Sequence, residues 1–316
     1  MSDHTDTTQD FLNPMIDYVF KKIFGREDHK AILIRFLNDF LAGESDRIVD
    51  LRVLNPINDK EYPKDKETTL DIKAKVSDGR YVNIEVQLME DITMVKRTLF
   101  YWGETYTRQL GTGMAYHQLA ETIMINILSY ELLPHDEIHS TYHITHDRNH
   151  QRLVEDLEIH FVELPKLLKS PQKLSDEIKT WLLFLTDPGN KGLAKKSKEV
   201  KEVEMAIDLL KEMSQSEEER MRAASRERFL RDKATLCESG RIKGLVEGEE
   251  IGLRKGEELG LHRGRVEGEE LGLRKGEELG MKKIVVNMLK KGKDAESISE
   301  TTGISIGMIK KIMAEQ

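Results

Sequence analysis

The chain of 316 residues has one cysteine, Cys237. A lone thiol closes no intrachain disulfide and builds no multi-cysteine zinc site, and it fits a reducing cytoplasm. Aromatic residues are sparse at 6 %, and the last of only seven prolines is Pro188. No stretch approaches the roughly 18 consecutive apolar residues of a membrane-spanning helix. The opening MSDHTDTTQDF lacks the basic-then-apolar order of a secretory signal. A basic excess is missing too: 49 Lys and Arg against 57 Asp and Glu leave a net charge of −8. That balance argues against general coating of nucleic acid but leaves room for a local site. With 34 % charged and 38 % apolar residues, only part of the chain can build a sizeable core, and the length suggests about two domains.

Composition changes near residue 190. Before it, helical spacing of Val19, Phe20, Ile23 and Phe24, then of Leu33, Phe36, Leu37 and Phe40, predicts two short helices separated at Gly25. Strand patterns follow at Leu51–Ile57, Leu70–Val76, Arg80–Leu88, Thr122–Leu128, Thr141–Thr145 and Ile159–Leu164. A helix over Thr93–Leu110 returns the chain to the apolar strand TIMINIL, the mark of an α/β layer. Another helix over Leu174–Leu185 closes this part. The chain after it is helix-forming and highly charged, and glycine occupies every fourth position from Gly240 to Gly280. The expected organisation is a disordered tail over 1–13, an α/β domain over 14–190, a charged helical linker over 191–239, the glycine repeat over 240–281 and a helix-turn-helix-like module over 282–316.

The segment LDIKAKV-SDG-RYVNIEVQL (70–88) carries the chemistry. Asp78-Gly79 between two alternating runs is a strong hairpin signal. A three-residue loop, Ser77-Asp78-Gly79, pairs Val76 with Arg80 and Asp71 with Glu85. It puts Leu70, Ile72, Ala74, Val76, Val82, Ile84 and Val86 on one apolar face, the pairing that the hydrophobic pattern selects. The other face carries Asp71, Lys73, Lys75, Tyr81, Asn83, Glu85 and Gln87. Asp71 and Glu85, about 5 Å apart at Cβ, would repel unless a cation lay between them. A hard ion such as Mg²⁺ takes one or two carboxylates and keeps water or phosphate oxygen in the rest of its shell. Lys73 and Gln87 flank the pair, so the set suits metal-assisted phosphodiester hydrolysis. The alternative is the solvated face of an amphipathic hairpin.

This hairpin, the opening MIDYVFKKIFG (15–25), RTLFYWGETYTRQLGTGMAYHQL (97–119) with the buried strand after it, and HFVELPK (160–166) occur in an order that resembles the recombination-promoting nuclease/transposase family of the PD-(D/E)XK nuclease superfamily. The resemblance covers residues 14–190. It implies a restriction-endonuclease-like α/β fold, a mixed sheet flanked by helices, here with a long all-α C-terminal extension. It also implies a DNA endonuclease associated with recombination or mobile elements, with Asp71 and Glu85 binding Mg²⁺ or another divalent cation. The superfamily's catalytic lysine falls at Gln87, which leaves three readings: Gln87 suffices, Lys73 substitutes, or activity is weak. Asp17, in the first helix, is the natural third metal-binding acid, its alternative being a helix N-terminal acid opposing the macrodipole. Arg97 and Tyr101, four residues apart, share a helical face that overhangs the hairpin. Arg97 is placed at the scissile phosphate, the alternatives being a surface cation and a core tyrosine.

Three further features lie outside the motifs that carry the resemblance. His135, His139, His143, His146 and His150 straddle a strand and its loops with no metal-binding spacing, and read as surface residues. Eleven glycines inside a helix cost about 10 kcal/mol relative to alanine, so an isolated helix there should be unstable. The repeat is then either a right-handed coiled-coil rod that makes the protein a homo-oligomer or a flexible linker. The C-terminal segment 282–313 has seven lysines against three acids and places a turn at Thr302-Gly303-Ile304-Ser305, so its last helix is a candidate for DNA contact or a packing module. Two other functions remain open: a catalytically degenerate DNA-binding or regulatory protein, and an oligomeric scaffold assembled through the glycine repeat.

Overall fold

The structure, a computed structural model, describes residues 11–41, 47–55, 72–169 and 174–315. The chain divides into two units, Met1–Thr235 and Leu236–Gln316.

Six strands form one sheet: β1 Leu51–Val53, β2 Ile72–Val76, β3 Tyr81–Gln87, β4 Thr122–Leu128, β5 His139–Tyr142 and β6 Leu157–Glu163. Their order is β1-β2-β3-β4-β6-β5. The interior strands β3, β4 and β6 run parallel, while β1, β2 and β5 pair antiparallel. All seven residues of TIMINIL are buried, as a strand covered on both faces requires. The predicted mixed sheet flanked by helices, with a long C-terminal helix, is the fold of this chain.

One sheet face supplies Ile72, Val82, Ile84, Ile125 and Val162 to the main core. Helices α1 Asp17–Phe24, α2 Lys30–Phe40, α4 Asp176–Thr186 and α6 Lys201–Gln215 add their apolar stripes to it. Phe24, Phe36, Trp181 and Phe184 meet there edge-on, and the Trp181 indole donates to Asp39 at 2.8 Å. Helix α3, Met94–Thr107, is on the other face, over Met124, Leu128 and Phe161. Helix α5, Lys191–Lys196, buries Leu193 in the main core.

Two expectations change here. The segment 191–239, expected as a linker, supplies Val203, Ala206, Ile207, Leu210 and Met213 to the core, an amphipathic spacing hidden by the charges between them. Phe11 and Leu12, assigned to the disordered tail 1–13, pack against that core, with the Leu12 amide on Ser214 Oγ at 2.9 Å.

Helix α7, Glu217–Lys290, includes the whole glycine repeat. A Cβ added at any of the glycines from Gly240 to Gly280 meets nothing within 4 Å. Within the second unit, α8 Ala295–Thr302 is capped by Asp294 and α9 Ile306–Ala314 by Ser305. Gly303 between them takes φ 71°, a left-handed conformation suited to glycine. Val285, Ile298, Ile309 and Ile312 form a small core. Among the described residues no helix is long and apolar enough to cross a membrane.

Candidate active site

The site begins at the hairpin. Gly79, with φ 105°, closes the three-residue loop, and the Val76 amide donates to Arg80 O at 2.8 Å. Asp78 accepts from the Arg80 amide at 3.0 Å and pairs with its guanidinium. The resulting register, Ile72↔Ile84, Lys73↔Asn83, Ala74↔Val82 and Lys75↔Tyr81, is the one that the apolar pattern selects. Asp71 lies outside the described residues.

The polar face of β3 is not a solvated one. Interior pairing with β4 and the cover of α3 bury Asn83 completely and leave Glu85 only 7 % exposed. Asn83 donates to Thr105 Oγ1 at 2.8 Å, and Thr98 Oγ1 donates to Asn126 at 3.0 Å. These bonds fasten α3 over the strands.

At the other end of α3, Asp91 shapes the turn that starts the helix, accepting from the Thr93 amide at 2.8 Å. Its second oxygen accepts from Arg97 Nη1 at 2.8 Å, while Arg97 Nη2 pairs with Glu85 Oε1. Arg97 thus bridges two carboxylates, with its guanidinium carbon 5.9 Å from the Tyr101 ring centre. Glu85 Oε2 and Arg97 Nε are buried with no hydrogen-bond partner among the described residues. An orphaned oxygen on a nearly buried carboxylate is the type of ligand that a hard divalent cation takes, so the residues present fit such an ion. Among the described residues, no group of three or more His, Cys, Asp or Glu is arranged to hold a metal.

The other sequence-predicted residues are distributed as follows. Gln87, half-buried at the carboxyl end of β3, accepts the Ser129 amide on its backbone oxygen at 3.0 Å. Lys73 pairs across from Asn83, and the charges acting on it are those of Arg108 and Glu104 near the far end of α3. Burial, then repulsion from Arg108, lowers its ammonium below the usual lysine value. Asp17 heads α1, where Arg226 Nε meets its two oxygens at 2.9 and 2.8 Å. The structure therefore brings Arg97 to Glu85 and commits Asp17 to α7.

Sequence reasoning missed Tyr130 and Asp91. Tyr130 follows β4 and packs against the cluster that contains Met94. Burial holds its phenol up at about 12, with Asp91 and Arg97 among the charges it senses. Its oxygen faces the Asp91 backbone N–H, while its O–H proton finds no acceptor among the described residues. The loop around it is pinned. Ser129 Oγ donates to Leu88 O at 2.7 Å, and Glu163 accepts from the amides of Leu132 and Leu133. Lys166, paired with Glu163 at 2.6 Å, donates to Leu133 O at 3.1 Å. The phrase HFVELPK holds the signal for this clasp, a Glu and a Lys three apart in an apolar context. Among the histidines expected at the surface, His139 is half-buried and lies 2.8 Å from His160 Nδ1. His160 in turn reaches Glu158 at 2.7 Å.

Glu85, Gln87 and Tyr130 gather at the carboxyl ends of the parallel strands β3 and β4, where open α/β sheets bind their ligands. A family model described as PD-(D/E)XK nuclease family transposase matches residues 14–240, and the chain belongs to that family. No curated protein and no solved structure matches it.

Proposed function

We propose that this member of the PD-(D/E)XK nuclease family is a divalent-metal-dependent DNA endonuclease of the cytoplasm that acts in recombination or on mobile elements. The observation that carries the reading is Glu85: nearly buried, at the carboxyl end of a central strand, with one oxygen on Arg97 and the other unpartnered. Asp71 and Glu85 would hold Mg²⁺ or a similar cation, with Asp17 as a third ligand only if Arg226 releases it. The bound ion supplies Lewis acidity and a hydroxide nucleophile near neutral pH. The chain does the rest. Asp91 anchors Arg97, so its guanidinium keeps one partner when Glu85 turns to the cation and can meet charge that develops on a phosphate. The Gln87 amide can orient water from the strand end. Lys73, across the hairpin from Asn83, would serve a more distant part of the DNA backbone contact.

The assay is nicking of supercoiled plasmid by wild type, Asp71→Ala and Glu85→Gln, with Mg²⁺ and with EDTA. Cleavage by wild type with metal alone is the expected result. Equal traces from all three proteins would favour a catalytically degenerate DNA-binding or regulatory protein, for which the Arg97–Glu85 pair and the glutamine at 87 also speak.

The exposed glycine helix supports homo-oligomerisation through Gly240–Gly280 as a second element of the proposal. Light scattering on a chain truncated at Leu236 tests it, and an unchanged mass would end it. Contact of the lysine-rich module 282–316 with DNA belongs to the same reading. Truncation at Met281 should then weaken DNA binding and reduce its salt dependence.

A further inference from the structure

We propose that Tyr130 is a substrate-positioning residue: its hydroxyl, together with Arg97 Nε–H, donates to the non-bridging oxygens of a phosphodiester seated beside Glu85. The inference deepens the nuclease reading and rests on it.

Three buried polar groups of this corner have unmet hydrogen-bonding capacity among the described residues: Glu85 Oε2 as acceptor, and Arg97 Nε–H and the Tyr130 O–H, whose oxygen already faces the Asp91 amide, as donors. More than about nine in ten buried polar groups in folded proteins are hydrogen-bonded, so three around one ion pair call for a common cause. They comprise one anionic acceptor and two donors. A cation alone would satisfy the carboxylate and leave both donors unmet. A neutral ligand would leave the carboxylate uncompensated. A phosphodiester accompanied by a divalent cation answers all three at once, the cation on Glu85 and the phosphate oxygens on Arg97 and Tyr130.

The tyrosine suits this role. Held up at about 12 by burial, its phenol keeps its proton across the neutral range and acts as a donor. Its place is fixed on both sides, by Ser129 on the β3 exit and by the Glu163–Lys166 clasp on the amides of Leu132 and Leu133. A rigidly held O–H without an acceptor resembles a preorganised binding group rather than a core tyrosine, whose O–H is usually paired when buried.

The test uses the full chain with Tyr130→Phe, which removes one oxygen atom. Two quantities are measured: the melting temperature without DNA, and the affinity for a fluorescein-labelled duplex in Ca²⁺. The expected result is a melting temperature unchanged or raised, because an unsatisfied buried hydroxyl has gone, with DNA affinity weaker by roughly tenfold or more. A lowered melting temperature would assign the hydroxyl a structural bond and overturn the inference. Wild-type binding with equal affinity in Tyr130→Phe would overturn it while the nuclease reading stood. Absence of metal-dependent DNA binding by wild type would bring down both.

Discussion

Replacing Arg97 by methionine tests the electrostatics of the site directly. The substitution keeps most of the side-chain volume but strands Glu85, which is 7 % exposed, with both oxygens unpaired. Breaking a fully buried ion pair by removing one partner costs about 3–5 kcal/mol. The Arg97 side chain is 29 % exposed, so solvent screening brings the expected cost to about 2–3 kcal/mol. For a domain of this size that is a fall in Tm of about 4–12 °C. Adding Glu85→Gln removes the stranded charge, so the double variant should recover about 1–3 kcal/mol of coupling. Mg²⁺ should stabilise Arg97→Met more than wild type, because the guanidinium no longer competes for Glu85; at ten times Kd the gain is about 1.4 kcal/mol. Thermal melts of the four proteins with and without Mg²⁺ form the assay. A drop below about 1 °C in Arg97→Met, or no recovery in the double variant, would refute the reasoning.

Three further outcomes follow from other parts of the first unit. Burial, then repulsion from His160, depresses His139 to about 4, so its neutral form is the native one. Its contribution to stability is full above the unfolded value near 6.5 and is lost between there and about 4, by at most about 3 kcal/mol. Urea midpoints of wild type and His139→Asn across that window should therefore draw together as pH falls, and a constant separation would contradict the assignment. Glu121 is raised to about 7 by burial, then by the Glu158 charge. Its favourable term is full below about 4.5 and lost as pH rises through 7, so Glu121→Gln should stabilise by about 1 kcal/mol at pH 8 after screening and not at pH 4.5. Thermal melts at both pH values check this, and an equal gain at both would refute it. Lys166→Met leaves Glu163, which has no exposed side-chain surface, holding an uncompensated charge. The expected loss in chemical denaturation is about 3–5 kcal/mol, and a loss below about 1 kcal/mol would deny the clasp its role.

The hairpin was legible because its information is local. Asp78-Gly79 fixes the loop, the period-two pattern of Ile72, Ala74, Val82 and Ile84 fixes the register, and both are visible in a few adjacent residues. The spacing of Arg97 and Tyr101 likewise placed a shared face over β3, where the structure has Arg97 on Glu85. What composition concealed was tertiary. The charged surface of α6 masked five core residues, and the burial of Asn83 and Glu85 on the polar face of β3 appears only once β4 pairs beside it. Tyr130 had no local signal at all. Its importance arises where the loop after β4 is drawn down by Glu163, 33 residues further along the chain.

The central claim is that Glu85 belongs to a metal-dependent phosphodiesterase site, and plasmid nicking measures it most directly. Full-length wild type should convert supercoiled plasmid to nicked or linear forms with Mg²⁺ and not with EDTA, and Asp71→Ala and Glu85→Gln should be inactive with either. Cleavage that persists in both variants, or that ignores EDTA, would contradict the account.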